Sequence, residues 1–236
     1  MSSNGIAFAL ALAAASCGRA RGGPETVAPS ASGAAVSEPF HSDVEIEGPL
    51  ADTAYRALGC WGWSPRLGAA ACTIGDTVGD SGGPFQVVFP GGNDLAPITI
   101  GALNQSTADA ALEAEVERLR AAIVQGGFVK PRWRNGRASG GATLVDSLKP
   151  VSPSGDNSAA RQDVGLALRW GPSGPSESLV TIDDCPCHLS AQMAALPGGR
   201  LLITVAASYA DEGFYGTRMS VFWCGLADRH CEPFEP

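Results

Sequence analysis

Beyond residue 50 the chain carries six cysteines, Cys60, Cys72, Cys185, Cys187, Cys224 and Cys231, and no other feature narrows the possible folds as much. The number is even, and in an exported chain, as the N-terminus argues below, that points to disulfides. One pairing follows from position. The stretches ALGCWGW and GAAACTIG read as strands and flank the turn Ser64-Pro65-Arg66-Leu67-Gly68. A hairpin centred on Arg66 sets residues 60 and 72 opposite each other, with Cβ atoms about 4.5–5.5 Å apart and close to bridging distance. A Cys60–Cys72 bridge is therefore expected. The other four lie in the C-terminal third, in Cys185-Pro186-Cys187-His188, at Cys224, and in His230-Cys231. Thiolates and imidazoles side by side suit zinc, but C-x-C is tighter than the usual C-x(2–4)-C knuckle. Disulfides are expected there too, with their connectivity open, and no metal.

The 236 residues are 44% hydrophobic and include 30 Gly and 17 Pro. That suits one domain or two small ones with a real core, rather than a disordered chain. One stretch has helical marks. From Thr107 to Gln125, Leu112, Val116, Leu119 and Ile123 recur at helical spacing and form one apolar stripe. Ser106 or Thr107 suits the N-cap, Asp109 and Glu113 lie early, Arg118 and Arg120 lie late, and Gly126-Gly127 supplies the stop. Most other apolar stretches are short and β-branched or aromatic: Phe85 to Phe89, Pro97 to Ala102, Val164 to Trp170, Ser178 to Ile182, Arg200 to Tyr209 and Tyr215 to Trp223. A weak repeat relates residues 64–89 to 196–222, each reading turn, strand, acidic Gly-bearing tip, strand, Val-Phe. The expected fold is mainly β with one α-helix (α+β), as two antiparallel β-meander units with the helix after the first. The expected segments are 1–16 (signal peptide), 17–40 (tether), 41–134 (meander plus helix), 135–160 (linker or long loop, from its Gly, Ser, Asn and Pro content) and 161–236 (C-terminal meander).

Residues Ile6 to Ala15 form an unbroken run of ten apolar residues, followed by Ser16 and Cys17. That length matches the core of an export signal and is too short to span a bilayer. The segment Ala14-Ala15-Ser16-Cys17 resembles the lipobox of bacterial lipoproteins, in which the Cys is acylated and becomes the mature N-terminus. The resemblance implies lipid attachment at Cys17, with the membrane as a partner through that lipid. Gly18 in the next position implies the outer membrane by analogy with enteric bacteria. Residues 18–39 are small, polar or Pro, and cannot bury enough apolar surface to offset their ordering entropy. They suit a tether. The expected location is the cell envelope, at the outer membrane or periplasmic face, or secretion after simple cleavage.

Gly79-Asp80-Ser81-Gly82-Gly83-Pro84 matches the motif around the nucleophile of chymotrypsin-family serine proteases. The resemblance implies Ser81 as nucleophile, with His41 as base and Asp52 as the acid that orients it. The surroundings argue against that reading. His41 stands only 40 residues before Ser81, at the edge of the tether, which leaves no room for a barrel to hold an imidazole at hydrogen-bond distance. The embedded G-x-S-x-G also matches the nucleophile elbow of α/β-hydrolases, where a helix follows the serine and an acid and a His come later, as His188 or His230. Pro84 and the strand-like FQVVF follow instead. The repeat places the hexapeptide at a hairpin tip, where Asp and Gly supply turn geometry, and the protease likeness is read as coincidental.

The formal net charge is −8, and of the 16 basic residues only Lys130 and Lys149 are lysines. An acidic chain is poorly suited to phosphate backbones, so nucleic acid is not an expected partner. Lys130, Arg132, Arg134 and Arg137 surround Trp133, a pattern read as a solvated strand edge with a stacked aromatic rather than an anion site. Asp183-Asp184 has none of the alternating ligands of a calcium loop, and no cofactor motif occurs. The leading expectation is an envelope lipoprotein whose disulfide-braced β-rich domain has a binding or structural role, towards a protein or a carbohydrate. The alternatives are a secreted serine hydrolase using Ser81, and a propeller-like ligand-binding fragment, for which DCPCHLSAQMAALPGGRLL is the most suggestive stretch.

Overall fold

A computed structural model describes residues 42–77, 84–101, 110–150, 162–185, 187–211 and 214–235. The described strands run as three antiparallel meanders. The first is β2 (Gly59–Ser64), β3 (Ala69–Asp76), β4 (Phe85–Val88) and β5 (Ile98–Gly101). It is preceded by β1 (Val44–Gly48) and a 3-10 turn at Ala54–Arg56, and followed by α1 (Ala110–Gly126) and β6 (Lys130–Trp133). The second is β7 (Ala138–Ser139), β8 (Ala142–Pro150), β9 (Gln162–Trp170) and β10 (Ser176–Cys185). The third is β11 (Cys187–Leu196), β12 (Arg200–Asp211), β13 (Phe214–Gly225) and β14 (His230–Phe234). The fold is thus mainly β with one α-helix among the described residues, as expected.

The expected linker at 135–160 is the main departure. Its described part contains β7 and β8, and β8 pairs with β9 along its whole length. Ala142 and Leu144 face the core and are almost fully buried. Flanking Gly, Ser and Pro conceal a half-buried strand with a short apolar face, and only its neighbours show which face that is. Residues 151–160 lie outside the described residues.

The sheets meet at a fork. The largest sheet has the order β11-β12-β13-β3-β4-β5, which joins the third meander to the first. The join is narrow: Arg218 and Met219 of β13 pair with Asp76 and Gly75 of β3. Beyond it each strand turns the same edge to a partner of its own. β14 takes Val221 to Gly225 of β13, and β2 takes Ala69 to Thr73 of β3. Each arm is cross-linked to the strand it covers, by Cys224–Cys231 and by Cys60–Cys72, and both bridges join directly opposed residues. Trp63, Ile74, Leu202, Val221 and Trp223 fill the fork, with Trp133 packed against them.

Two further cores flank this one. The four-stranded sheet β10-β9-β8-β7 lays Leu144, Leu166 and Leu168 against Met193, Leu201 and Ile203 of the third meander. Strands β12 and β13 are therefore covered on both faces. The hairpin β11–β12 closes tightly because Gly198 and Gly199 both take positive φ, at 79° and 70°, a region closed to most side chains. On the other side, α1 packs Leu119, Val116 and Ile123 onto the first meander beside Phe85, Val87 and Phe128. This is the stripe expected from the spacing; Leu112 is half-buried, and the expected caps Ser106 and Thr107 lie outside the described residues.

The end of α1 is held from outside the helix. Gly127 has φ 64°, its N–H donates to Val124 O and that of Phe128 to Ile123 O, the bond pattern of a Schellman stop. The fully buried Ser64 hydroxyl donates to Gly126 O at 2.6 Å and accepts from Leu67 N–H at 3.1 Å. Ser64→Ala strands a buried carbonyl and an amide together. We expect it to cost about 1–3 kcal/mol in equilibrium unfolding; a loss within error would show that the hydroxyl does not anchor the helix.

Candidate functional site

All six cysteines among the described residues are paired. Besides the two bridges at the fork, Cys185 is bonded to Cys187. This third bridge spans the crossing from β10, in the four-stranded sheet, to β11, in the large one. Both cysteines are buried and pack with Val164, Ile182, Leu189 and Tyr209. The expected Cys60–Cys72 bridge is present, and the connectivity of the other four follows from strand pairing and this crossing. Among the described residues no group of three or more His, Cys, Asp or Glu side chains is arranged to hold a metal ion.

Cys17, His41 and Ser81 lie outside the described residues. Asp52 is exposed, just ahead of the 3-10 turn. The flanks of the hexapeptide are described: β3 ends at Asp76, β4 begins at Phe85, and the two pair antiparallel. A strand, not the helix of a nucleophile elbow, follows Pro84. The neighbouring Asp43 has a structural role. Its Oδ2 accepts from Ala195 N–H at 2.8 Å and from the Ser139 hydroxyl, while its backbone bonds Ala195 O and Arg134 N–H. These contacts tie the start of β1 to β7 and β11. His188 and His230 are both exposed, and His230 Nδ1 lies 3.4 Å from Glu177 Oε1.

The basic cluster lies on a solvated strand edge, and its four cations pair with three carboxylates, Glu47 being shared. Lys130 Nζ is 2.9 Å and Arg132 Nε 3.7 Å from Glu47, Arg134 meets Glu45, and Arg137 is 2.6 Å from Asp146. The hydrogen bond and charge of Lys130 hold the Glu47 carboxyl below its ordinary pKa. Trp133 is not stacked among them. It turns inward, donates from Nε1 to Cys60 O at 2.8 Å and meets Trp63 edge-on, with ring centroids 6.4 Å apart. Alternation along β6 separates the two roles, with charges on one face and the indole on the other.

The described site best suited to a ligand is a cleft where β10 parts from β12 and β13. It encloses about 310 Å³. Val180, Ile182, Val205 and Ala207 supply an apolar wall, and Tyr209, Arg218, Ser220 and Glu235 the polar side. The cleft continues the core between the two sheets. Along β13 the inward positions run Cys224, Phe222, Ser220, Arg218, so this face changes from apolar to polar towards the start of the strand. Arg218 lies 3.8 Å from Glu235 and directly opposite Asp76 of β3. Burial raises the pKa of the Tyr209 phenol, which keeps it protonated; nearby Arg218 acts in the opposite sense and Asp76 reinforces the rise. None of these four polar residues stands out in the sequence. The available signal was the polar pair at 218 and 220 on the face that carries Phe222 and Cys224. Comparison with family models, with curated proteins and with solved structures finds no match for this chain.

Proposed function

We propose that this chain is an exported lipoprotein of the cell envelope, held by lipid on Cys17 through the tether at 17–40, and that its β-rich domain is a binding module. One observation carries the export reading: every described cysteine is in a disulfide. Reducing compartments rarely leave six buried or half-buried thiols fully paired. The cleft supports the binding reading, since it combines an apolar wall with a few convergent polar groups at the small end of the usual pocket range.

The test is metabolic labelling with a fatty acid followed by fractionation of a bacterial host that expresses the full chain. Label is expected to enter the protein and to disappear in Cys17→Ala, with the wild-type protein in the membrane fraction and resistant to thiol alkylation until reduced. Unlabelled protein in the cytosol with all seven cysteines reactive would overturn the reading.

A further inference from the structure

We propose that the cleft between β10 and β12–β13 takes a small uncharged molecule, a short apolar body bearing one hydrogen-bonding oxygen. This rests on the binding role proposed above, whose ligand class it names, and is independent of the lipid anchor. Size sets the first limit. A space of about 310 Å³ admits only a small ligand, and the wall of Val180, Ile182, Val205 and Ala207 favours an apolar body over a sugar.

One polar side chain in that space is short of a partner. Ser220 lines the cleft, is only 7% exposed and makes no hydrogen bond to another described residue. It stands directly opposite Val205 in the β12–β13 pairing. Directly opposed residues project to the same face, so its hydroxyl is set beside the apolar wall. A buried hydroxyl is costly to leave unmet, and a ligand oxygen placed there removes that cost. The Tyr209 phenol, kept protonated by burial, offers a second hydroxyl to the same cleft. Both hydroxyls can donate or accept, so a ligand hydroxyl or carbonyl fits them. The rim selects no charge: Arg218 and Glu235 carry opposite charges 3.8 Å apart and balance each other. A charged head group therefore meets no net counter-charge in the cleft and forfeits its hydration on entry. The neutral oxygen is left as the favoured group.

Calorimetric titration of the purified full chain with pentanol, pentylamine and pentanoate tests this, because the three share one apolar body and differ in head-group charge. Pentanol is expected to bind, and each charged analogue about tenfold more weakly or not at all. Amide chemical shifts of the wild-type chain should move with pentanol along β10, β12 and β13, which locates the site without any variant. Ser220→Ala deletes a hydroxyl that bonds to no described residue, so it should fold with an unchanged or raised melting temperature and weaken pentanol about fivefold. Equal binding of either charged analogue, or an unchanged pentanol affinity in Ser220→Ala, would overturn the proposal and leave the binding role in place. No binding of any of the three, or shifts confined to other elements, would remove the cleft's binding role as well. The fatty-acid label and fractionation read the anchor separately, so failure here leaves the export reading to be judged on its own test.

Discussion

Trp63→Ala is expected to remove about 3–5 kcal/mol of folding stability, as truncation of a buried indole does when its surroundings cannot collapse into the space. Trp63 is only 3% exposed and sits in the fork between the first and third meanders. The surroundings resist collapse because Cys60–Cys72 and Cys224–Cys231 fix the arms on either side. Its backbone bonds to Val129, at 3.0 and 2.9 Å, do not depend on the side chain, so the loss isolates packing. Denaturant unfolding followed by circular dichroism measures it, and a loss under about 1 kcal/mol would mean that the fork is not a rigid core. Trp133→Ala on the same background should be less than additive, because the edge-on pair contributes about 0.5–1.5 kcal/mol beyond its area.

The three disulfides should differ in the order of the loops they close. Their sequence separations are 12 for Cys60–Cys72, 7 for Cys224–Cys231 and 2 for Cys185–Cys187. Chain-entropy loss on cross-linking the unfolded state then corresponds to about 2.8, 2.4 and 1.2 kcal/mol respectively. Paired Cys→Ser variants, one bridge at a time, are expected to lower stability in that order, measured by chemical unfolding without reductant. If the Cys185/Cys187 double variant proved the most damaging, that bridge would be holding the crossing between sheets through native contacts rather than through the unfolded chain. The six buried or half-buried sulfur positions also imply that reductant alone should lower the unfolding midpoint.

Legibility differed from element to element, for physical reasons. Helix α1 was readable because the spacing of Leu112, Val116, Leu119 and Ile123 repeats with the helical period over several turns. Its stop was readable because Gly127 occupies a backbone conformation that few other residues tolerate. The Cys60–Cys72 bridge was readable because a hairpin is local and its register follows from its turn. Strand β11, with CHLSAQMAAL, was not readable, since it lacks β-branched residues and takes its strand form from pairing along its whole length with β12. Strand β8 was lost among turn-forming neighbours. The polar side of the cleft was invisible because Tyr209, Arg218 and Glu235 come from β12, β13 and the end of the chain, and meet only once those strands are paired.

From the residues alone came the β-rich class, the single described helix, the hairpin disulfide and the expectation of a leader and tether, because each depends on contacts or composition within a few tens of residues. Tertiary structure alone decided that the first and third meanders share a sheet, that the region between them is a meander of its own, and that Trp133 turns into the core while its cationic neighbours face solvent. These outcomes depend on which apolar face covers which. That choice minimises exposed surface over the whole chain, and no short window of sequence contains it.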